Sequence, residues 1–133
     1  MHPVAFLPTL EPLRILAVED EPEVLDVVRA MLTHVGHSVI TAASGREAIP
    51  LFEREAVDVV ITDLGMPGMT GFALAAELKR RRPVPVVLLT GWADELDAGH
   101  PDVDVIVAKP FTRERLLEAL ARAIPERVRS EGG

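Results

Sequence analysis

The stretch Val57-Asp58-Val59-Val60-Ile61-Thr62-Asp63-Leu64-Gly65-Met66-Pro67-Gly68 decides the fold of this chain. Its first half is rich in β-branched apolar residues, which is typical of a strand buried on both faces. Its second half carries glycine and proline, which favour a turn. Asp63 stands where the strand gives way to the turn, so its carboxylate is predicted to lie at the C-terminal end of a buried strand.

Similar apolar segments recur along the whole chain and alternate with amphipathic ones. The predicted strands cover residues 13–18, 37–42, 57–62, 84–89 and 103–107. The predicted helices begin at Pro22 and at the capping pattern Ser44-Gly45-Arg46-Glu47, and two more cover about 70–81 and 112–123. Between the fourth and fifth strands there is room only for a short or irregular helix. This alternation predicts a parallel sheet with helices on both faces.

The helical periodicity also predicts which side chains face the core. They are Val24, Val27, Val28, Met31, Leu32 and Val35 in the first helix, Phe72, Leu74, Ala75 and Leu78 in the third, and Leu116, Leu117, Leu120 and Ile124 in the last. His34 and His37 flank Gly36 at a helix end, where we expect them to be solvated or to cap the helix.

Length and composition limit the class of protein. A chain of 133 residues with 48% hydrophobic residues suits one domain, which we place at 13–124, with an N-terminal arm at 1–12 and a frayed polar tail at 125–133. The absence of cysteine excludes disulfides and thiolate metal sites. No apolar run approaches the ~20 residues of a membrane span, and the arm lacks the basic leader of a signal peptide, so we expect a cytoplasmic protein without a membrane partner.

The net charge of −7 argues against a domain that binds nucleic acid through phosphate contacts. The one basic run, Lys79-Arg80-Arg81-Arg82, is interpreted as a helix C-terminus, where cations suit the helix dipole. No glycine-rich nucleotide-binding motif is present. We expect a monomer or a weak dimer.

Five chemically distinctive residues follow the predicted strands. They are Glu19 and Asp20 after the first strand, Asp63 after the third, Thr90 after the fourth and Lys109 after the fifth. Parallel strands with right-handed crossovers bring their C-terminal ends to one edge of a sheet, where ligands bind in such folds. Three carboxylates at one edge repel one another, so the cluster predicts a bound cation, and oxygen ligands suit Mg²⁺.

These residues and their neighbours resemble the receiver domain of two-component response regulators. The matching motifs, over roughly 13–124, are Val18-Glu19-Asp20-Glu21, the loop from Asp63 to Gly71, Thr90-Gly91 and Lys109-Pro110-Phe111. The resemblance implies a flavodoxin-like, doubly wound sheet of order 2-1-3-4-5. It implies that Asp63 accepts a phosphoryl group, with Thr90 and Lys109 as the switch hydroxyl and the lysine of the family pattern.

The same resemblance implies a metal site and a set of partners. Glu19, Asp20, Asp63 and the backbone carbonyl of Gly65 match the positions that bind Mg²⁺ or Mn²⁺ in the family. The phosphoryl donor would be a phosphohistidine of a histidine kinase or a histidine phosphotransfer protein. A downstream protein target, which the sequence does not name, would receive the signal.

Two departures keep other functions open. The position three residues before the lysine is Ile106, where the family often has an aromatic switch residue, and the Thr90–Lys109 stretch is short. A binding module that works without phosphorylation is therefore one alternative. An aspartate-nucleophile phosphatase is another, although Gly65 stands where such enzymes carry a second acid. We expect a single-domain phosphoacceptor that is no enzyme beyond slow self-dephosphorylation.

Overall fold

The computed structural model describes residues 9–93 and 99–129. The elements, in chain order, are β1 (Arg14–Val18), α1 (Pro22–His34), β2 (Ser38–Ala42), α2 (Gly45–Arg54), β3 (Val59–Asp63), α3 (Gly71–Arg81), β4 (Val86–Thr90), β5 (Val105–Ala108) and α4 (Arg113–Ala123), followed by a 3-10 turn at Pro125–Arg127. Each predicted strand and helix in the described part of the chain is therefore present, with ends shifted by one or two residues. The short helix predicted between β4 and β5 falls on residues 94–98, which lie outside the described residues.

The five strands form one parallel sheet in the order β2-β1-β3-β4-β5. This is the flavodoxin-like arrangement that the sequence predicts. In the register, Val18 lies opposite Thr62, Asp63 lies opposite Leu89, and Thr90 lies opposite Ala108. The C-terminal ends of the strands are thus aligned along one edge of the sheet, which places the functional candidates together.

Side-chain caps explain where three of the helices begin. The Ser44 hydroxyl accepts the Glu47 N–H at 3.2 Å, Thr70 accepts the Ala73 N–H at 3.1 Å, and Thr112 accepts the Arg115 N–H at 3.1 Å. Each contact satisfies a helix N–H that has no partner within the helix. Two of these caps, Thr70 and Thr112, follow the loops that carry Asp63 and Lys109, so they fix how those loops end.

The sheet is covered by apolar residues on both faces. Ile15, Ala17, Ile61 and Leu89 pack against α1 and α4, and Leu16, Val18, Val60 and Val86 pack against α2 and α3. Most of the predicted core-facing helical residues are buried. Val27 and Val35 were predicted wrongly, because 47% and 38% of their surfaces are exposed on α1 and just after it. Phe72 is only partly buried, and its ring stacks on His100 at a centroid distance of 4.1 Å.

The expectation for His37 was that it is solvated or caps a helix. It is not solvated, but its backbone N–H does cap α1, because it donates to the Leu32 carbonyl at 3.1 Å. His37 is buried, and its Nδ1 accepts the backbone N–H of Leu13 at 3.1 Å. His34 is exposed, as expected. His37 is buried and His34 is not because β2 begins immediately after His37, which places His37 against the start of β1.

The tail is not frayed over the residues that the structure describes. Leu10 and Val128 form an antiparallel bridge, and the Arg129 N–H donates to the Thr9 carbonyl at 2.7 Å. Arg127 contacts Glu11 at 3.0 Å and Asp58 at 3.2 Å. The two ends of the described chain therefore pair with each other at the N-terminal end of the sheet, away from the edge that carries Asp63.

The basic run lies at the end of α3, as predicted, and several of its residues also have structural partners. Lys79 pairs with Asp104 at 2.7 Å, and Arg81 pairs with Glu53 at 3.0 Å. Arg82 donates to the carbonyls of Phe52 and Glu55, which end α2. Among the residues that the structure describes, none of the helices has the length and apolar character needed to cross a membrane.

Candidate functional site

Three carboxylates meet at the C-terminal edge of the sheet. Glu19, Asp20 and Asp63 each offer an oxygen, and these oxygens lie within 4.8 Å of one another. Glu19 and Asp63 are buried, with 2% and 6% of their surfaces exposed, whereas Asp20 is half-buried. The backbone positions Glu19, because its N–H donates to the Ala42 carbonyl and so extends the β1–β2 pairing by one step. The sequence prediction that these acids converge is confirmed.

Lys109 enters the same pocket from the end of β5. Its Nζ lies 2.7 Å from Asp63 Oδ1 and 3.0 Å from Glu19 Oε1. Its backbone N–H donates to the Thr90 carbonyl at 2.9 Å, which holds the residue beside the end of β4. The ammonium group therefore bridges two acids that come from different strands. The sequence analysis did not predict its contact with Glu19.

Burial and the neighbouring groups shift the pKa values of Glu19 and Lys109. Burial raises the pKa of Glu19, and the negative charge of Asp63 acts in the same direction, against the hydrogen bonds from Lys109 and from the Glu21 N–H. Burial opposes the charged form of Lys109, but its bonds to Asp63 and Glu19 outweigh burial and hold its pKa above the ordinary value. The lysine thus stays cationic within the acidic pocket.

Thr90 lies at the end of β4, one residue beyond the Leu89 that faces Asp63. It is buried, and its hydroxyl oxygen accepts the backbone N–H of Trp92 at 3.0 Å. The Trp92 side chain is 59% exposed. The hydroxyl is therefore bonded to its own loop, so turning it toward Asp63 requires that loop to move.

The loop after Asp63 is fixed by contacts that the sequence reasoning missed. The Leu64 N–H donates to the Leu89 carbonyl at 3.0 Å, and the Gly71 N–H donates to the Leu64 carbonyl at 2.9 Å. A Cβ on Gly71 would come within 2.4 Å of the Asp63 carbonyl oxygen. Only glycine fits there, because α3 starts directly against the backbone that carries Asp63. The sequence feature that could have predicted this contact is a glycine, Gly71, directly after the helix-capping Thr70.

The donor set fits a small divalent cation. In an octahedral Mg²⁺ site with oxygens at ~2.1 Å, opposite ligands are about 4.2 Å apart, which is compatible with acid oxygens that all lie within 4.8 Å of one another. Gly65 is exposed, and no atom beyond its chain neighbours lies within 4 Å of where a Cβ would stand. Its carbonyl as a metal ligand stays a prediction.

Comparison with known proteins agrees with this geometry. Residues 15–121 match the protein family described as the response regulator receiver domain. A probable transcriptional regulator, ycf27 of Guillardia theta, is 35% identical over 118 residues, which make up 86% of this chain and 46% of that protein. The chain spans about half the length of this relative, so the activity of the whole relative does not transfer directly.

Two solved structures are similar over nearly their full length. The response regulator TrrA of Thermotoga maritima, in complex with Mg²⁺–BeF, is 30% identical with a TM-score of 0.76, covering 83% of this chain and 97% of that one. The receiver domain of the sensor histidine kinase PA1611 of Pseudomonas aeruginosa PAO1 is 32% identical with a TM-score of 0.76, covering 86% and 99%. In that structure a magnesium ion is coordinated in the active-site cleft.

Proposed function

This chain belongs to the response regulator receiver domain family of two-component signalling, and we propose that Asp63 accepts a phosphoryl group from a phosphohistidine of a histidine kinase or a histidine phosphotransfer protein. The observation that carries the proposal is the pocket of Glu19, Asp20 and Asp63 with Lys109 bound between two of the acids. Each of these residues matches a functional position of the family pattern.

In the proposed transfer, a carboxylate oxygen of Asp63 attacks the phosphorus atom. The phosphorus–nitrogen bond of the phosphohistidine breaks, the electron pair returns to the imidazole, and an acyl phosphate forms on Asp63. Lys109 lies where it can leave the Asp63 oxygen for a phosphoryl oxygen. In that position its ammonium offsets the charge that the phosphoryl group brings into the pocket.

Glu19, Asp20 and Asp63 would hold Mg²⁺ or Mn²⁺, together with the Gly65 carbonyl. Receiver domains bind Mg²⁺ in their active site, and the ion offsets the repulsion between the attacking carboxylate and the phosphoryl oxygens. Mn²⁺ also accepts carboxylate and carbonyl oxygens. Glu19 is a methylene longer than aspartate, so it reaches the cation either directly or through a water molecule.

The proposed output is a change of shape near Thr90. Phosphorylation adds negative charge and acceptor oxygens at Asp63. A Thr90 hydroxyl that turns to these oxygens must release the Trp92 N–H, and the Gly91–Trp92 loop then moves with it. The family often couples the movement of the threonine to an aromatic residue at the position that Ile106 occupies here. Because Ile106 has no aromatic ring, we assign the coupling between Thr90 and the surface to the Trp92 backbone. The recipient is a protein target, and we propose no direct contact with nucleic acid or membrane.

The test is phosphorylation by a small phosphodonor. The full chain is incubated with acetyl phosphate and Mg²⁺, and its intact mass is measured. We expect one added phosphoryl group, none in Asp63→Asn, and none in EDTA. Asp26→Asn is the matched control, because Asp26 is exposed on α1 and should leave labelling unchanged.

Other outcomes separate the alternatives. Labelling that persists in Asp63→Asn contradicts the proposal. Hydrolysis of many phosphoester molecules per protein molecule would support a phosphatase instead. If labelling occurs but Trp92 fluorescence does not respond to it, a binding module that works without phosphorylation becomes the better explanation.

A further inference from the structure

One side of α1 carries an apolar stripe that stays partly open to solvent. Val27 and Val35 are exposed, and Met31 between them is half-buried. The three residues are four positions apart, so their side chains follow one another along the same side of the helix. A row of uncovered apolar side chains indicates a surface that another apolar segment binds.

The stripe lines a groove beside the loop that carries Lys109. The groove has a volume of about 470 Å³, and five of its seven lining residues are apolar. These five are Val24, Val27 and Met31 on α1, and Pro110 and Phe111 on the loop that follows β5. The groove therefore suits an apolar occupant that lies along α1.

The chain itself supplies an apolar segment that begins close to this stripe. Thr9 is the first residue that the structure describes, and it lines a cavity of about 150 Å³ together with Val35 and Leu117. Residues 1–8, with the sequence MHPVAFLP, precede it and lie outside the described residues. We call residues 1–8 the arm segment. It joins the described fold beside Val35, at the C-terminal end of the stripe.

The arm segment is long enough to follow the stripe into the groove. Eight extended residues reach about 26 Å, whereas Glu23 and Val35 are about 18 Å apart along α1. Phe6 is three residues from Thr9, so it reaches about 10 Å from that point, and Val27 lies about 12 Å from Val35. An extended arm segment therefore brings the Phe6 ring to the level of the groove.

The composition of the arm segment also matches the groove. It contains no acid, lysine or arginine, and four of its eight residues are Val4, Ala5, Phe6 and Leu7. Its two prolines disfavour a helix and favour an extended backbone. Val4 and Phe6 are two positions apart, so an extended backbone turns both side chains to the same side.

We propose that the arm segment binds in this groove, with the Phe6 ring packed between Val27 and Phe111. The groove would then have an occupant that belongs to the chain itself, and any partner that uses the groove must first displace it. Because the arm segment is tethered at Thr9, its effective concentration at the groove is on the order of millimolar, which favours binding even by a short segment.

A second copy of the chain is a poorer occupant. Two chains that each have a net charge of −7 repel each other, whereas the side chains of the arm segment add no acidic group to the groove. A second copy also lacks the tether, so its binding depends on the protein concentration.

The first test is nuclear Overhauser spectroscopy on the full chain, labelled with ¹³C and ¹⁵N, in EDTA. We expect cross-peaks between the Phe6 ring protons and the methyl protons of Val27 and Met31, with intensities that do not depend on protein concentration. Because EDTA removes the metal that phosphorylation needs, the result does not depend on the phosphoacceptor proposal.

The second test is the rate at which chymotrypsin cleaves after Phe6, followed as the loss of residues 1–6 in the intact mass. Cleavage requires an arm segment that has left the groove, so we expect Val27→Asp to accelerate it roughly fivefold or more. Thr33→Asp is the matched control. Thr33 is exposed and lies two positions after Met31, on the opposite side of α1, so this variant adds the same charge and should be cleaved at the wild-type rate.

Three results would overturn the proposal. They are the absence of cross-peaks between Phe6 and α1, an unchanged cleavage rate in a folded Val27→Asp variant, and equal acceleration in Val27→Asp and Thr33→Asp. Cross-peaks that disappear on dilution, together with a dimer in sedimentation, would identify a second copy as the occupant and overturn it as well. The cross-peak test needs no variant, so it decides the proposal even if Val27→Asp fails to fold.

Discussion

Lys109 is the residue on which the charge balance of the pocket depends. Its ammonium contacts Glu19 and Asp63, and both of these acids have an oxygen within 4.8 Å of an oxygen of Asp20. Two like charges at ~4 Å repel by roughly 1 kcal/mol in water and by about 4 kcal/mol at an effective dielectric constant of 20. Without a cation of some kind, three acids at this spacing therefore oppose folding.

We expect Lys109→Met to destabilise the protein by about 1–3 kcal/mol in EDTA, because it leaves two buried carboxylates without their cation. Millimolar Mg²⁺ should recover part of this loss, since an ion that binds only the folded state stabilises it. Urea unfolding in EDTA and in Mg²⁺ measures both effects.

Lys79→Met is the matched control for this variant. Lys79 forms a more exposed pair with Asp104, so its loss should cost less than about 1 kcal/mol and should not depend on Mg²⁺. Equal destabilisation of Lys109→Met in EDTA and in Mg²⁺ would contradict the idea that lysine and metal neutralise the same acids.

At the scale of elements, the start of α3 determines where Asp63 lies. Thr70 caps the helix, and the Gly71 N–H is bonded to the loop that follows β3. Although the loop that follows Asp63 separates β3 from α3 along the chain, the first residue of α3 therefore lies in direct contact with the end of β3. A side chain at this junction would push on backbone rather than on a flexible neighbour.

We predict that Gly71→Ala lowers stability by about 1–3 kcal/mol and slows phosphorylation of Asp63, because its Cβ would overlap the Asp63 carbonyl. Urea unfolding and the rate of mass gain with acetyl phosphate measure the two effects. Gly65→Ala is the control, since nothing lies within 4 Å of an added Cβ there and the carbonyl is kept. Normal phosphorylation in Gly71→Ala would show that the contact does not position Asp63.

At the scale of the whole molecule, the two ends of the described chain are joined far from the site. Leu10 is buried where it bridges Val128, and Arg127 contacts Glu11 and Asp58. His37 lies in the same region, with its Nδ1 committed as an acceptor for the Leu13 N–H. That bond requires an unprotonated Nδ1, so we expect the N-terminal end of the sheet to be sensitive to pH.

Burial lowers the pKa of His37 below 6.5, and the charge of Arg127 acts in the same direction. The unfolded chain then binds more protons than the folded one just below pH 6.5, so stability is complete above that pH and falls as the pH drops from 6.5 toward the lowered pKa. We expect the free energy of unfolding to decrease from pH 7 to pH 5.5.

His37→Asn should flatten this dependence, because the Asn oxygen can accept the Leu13 N–H without titrating. His34→Asn, which changes the exposed histidine at the end of α1, should keep the wild-type slope. Urea unfolding at a series of pH values measures the slopes. A wild-type slope in His37→Asn would assign the pH dependence to other groups.

The sequence by itself determined the sheet, the order of elements and the position of the site. Buried parallel strands have a continuous apolar pattern, and parallel strands end on one edge, so Glu19, Asp20, Asp63 and Lys109 could be placed together from local pattern alone.

Only the tertiary structure decided which groups touch. The Lys109–Glu19 bond joins residues 90 positions apart, the Arg127–Glu11 bond joins residues 116 apart, and the burial of His37 depends on Leu13. Periodicity reports which face of an element is apolar, but it carries no information on which distant side chain meets that face. For the same reason Val27 was predicted as core and lies exposed: no other element covers its side of α1 in the described part of the chain.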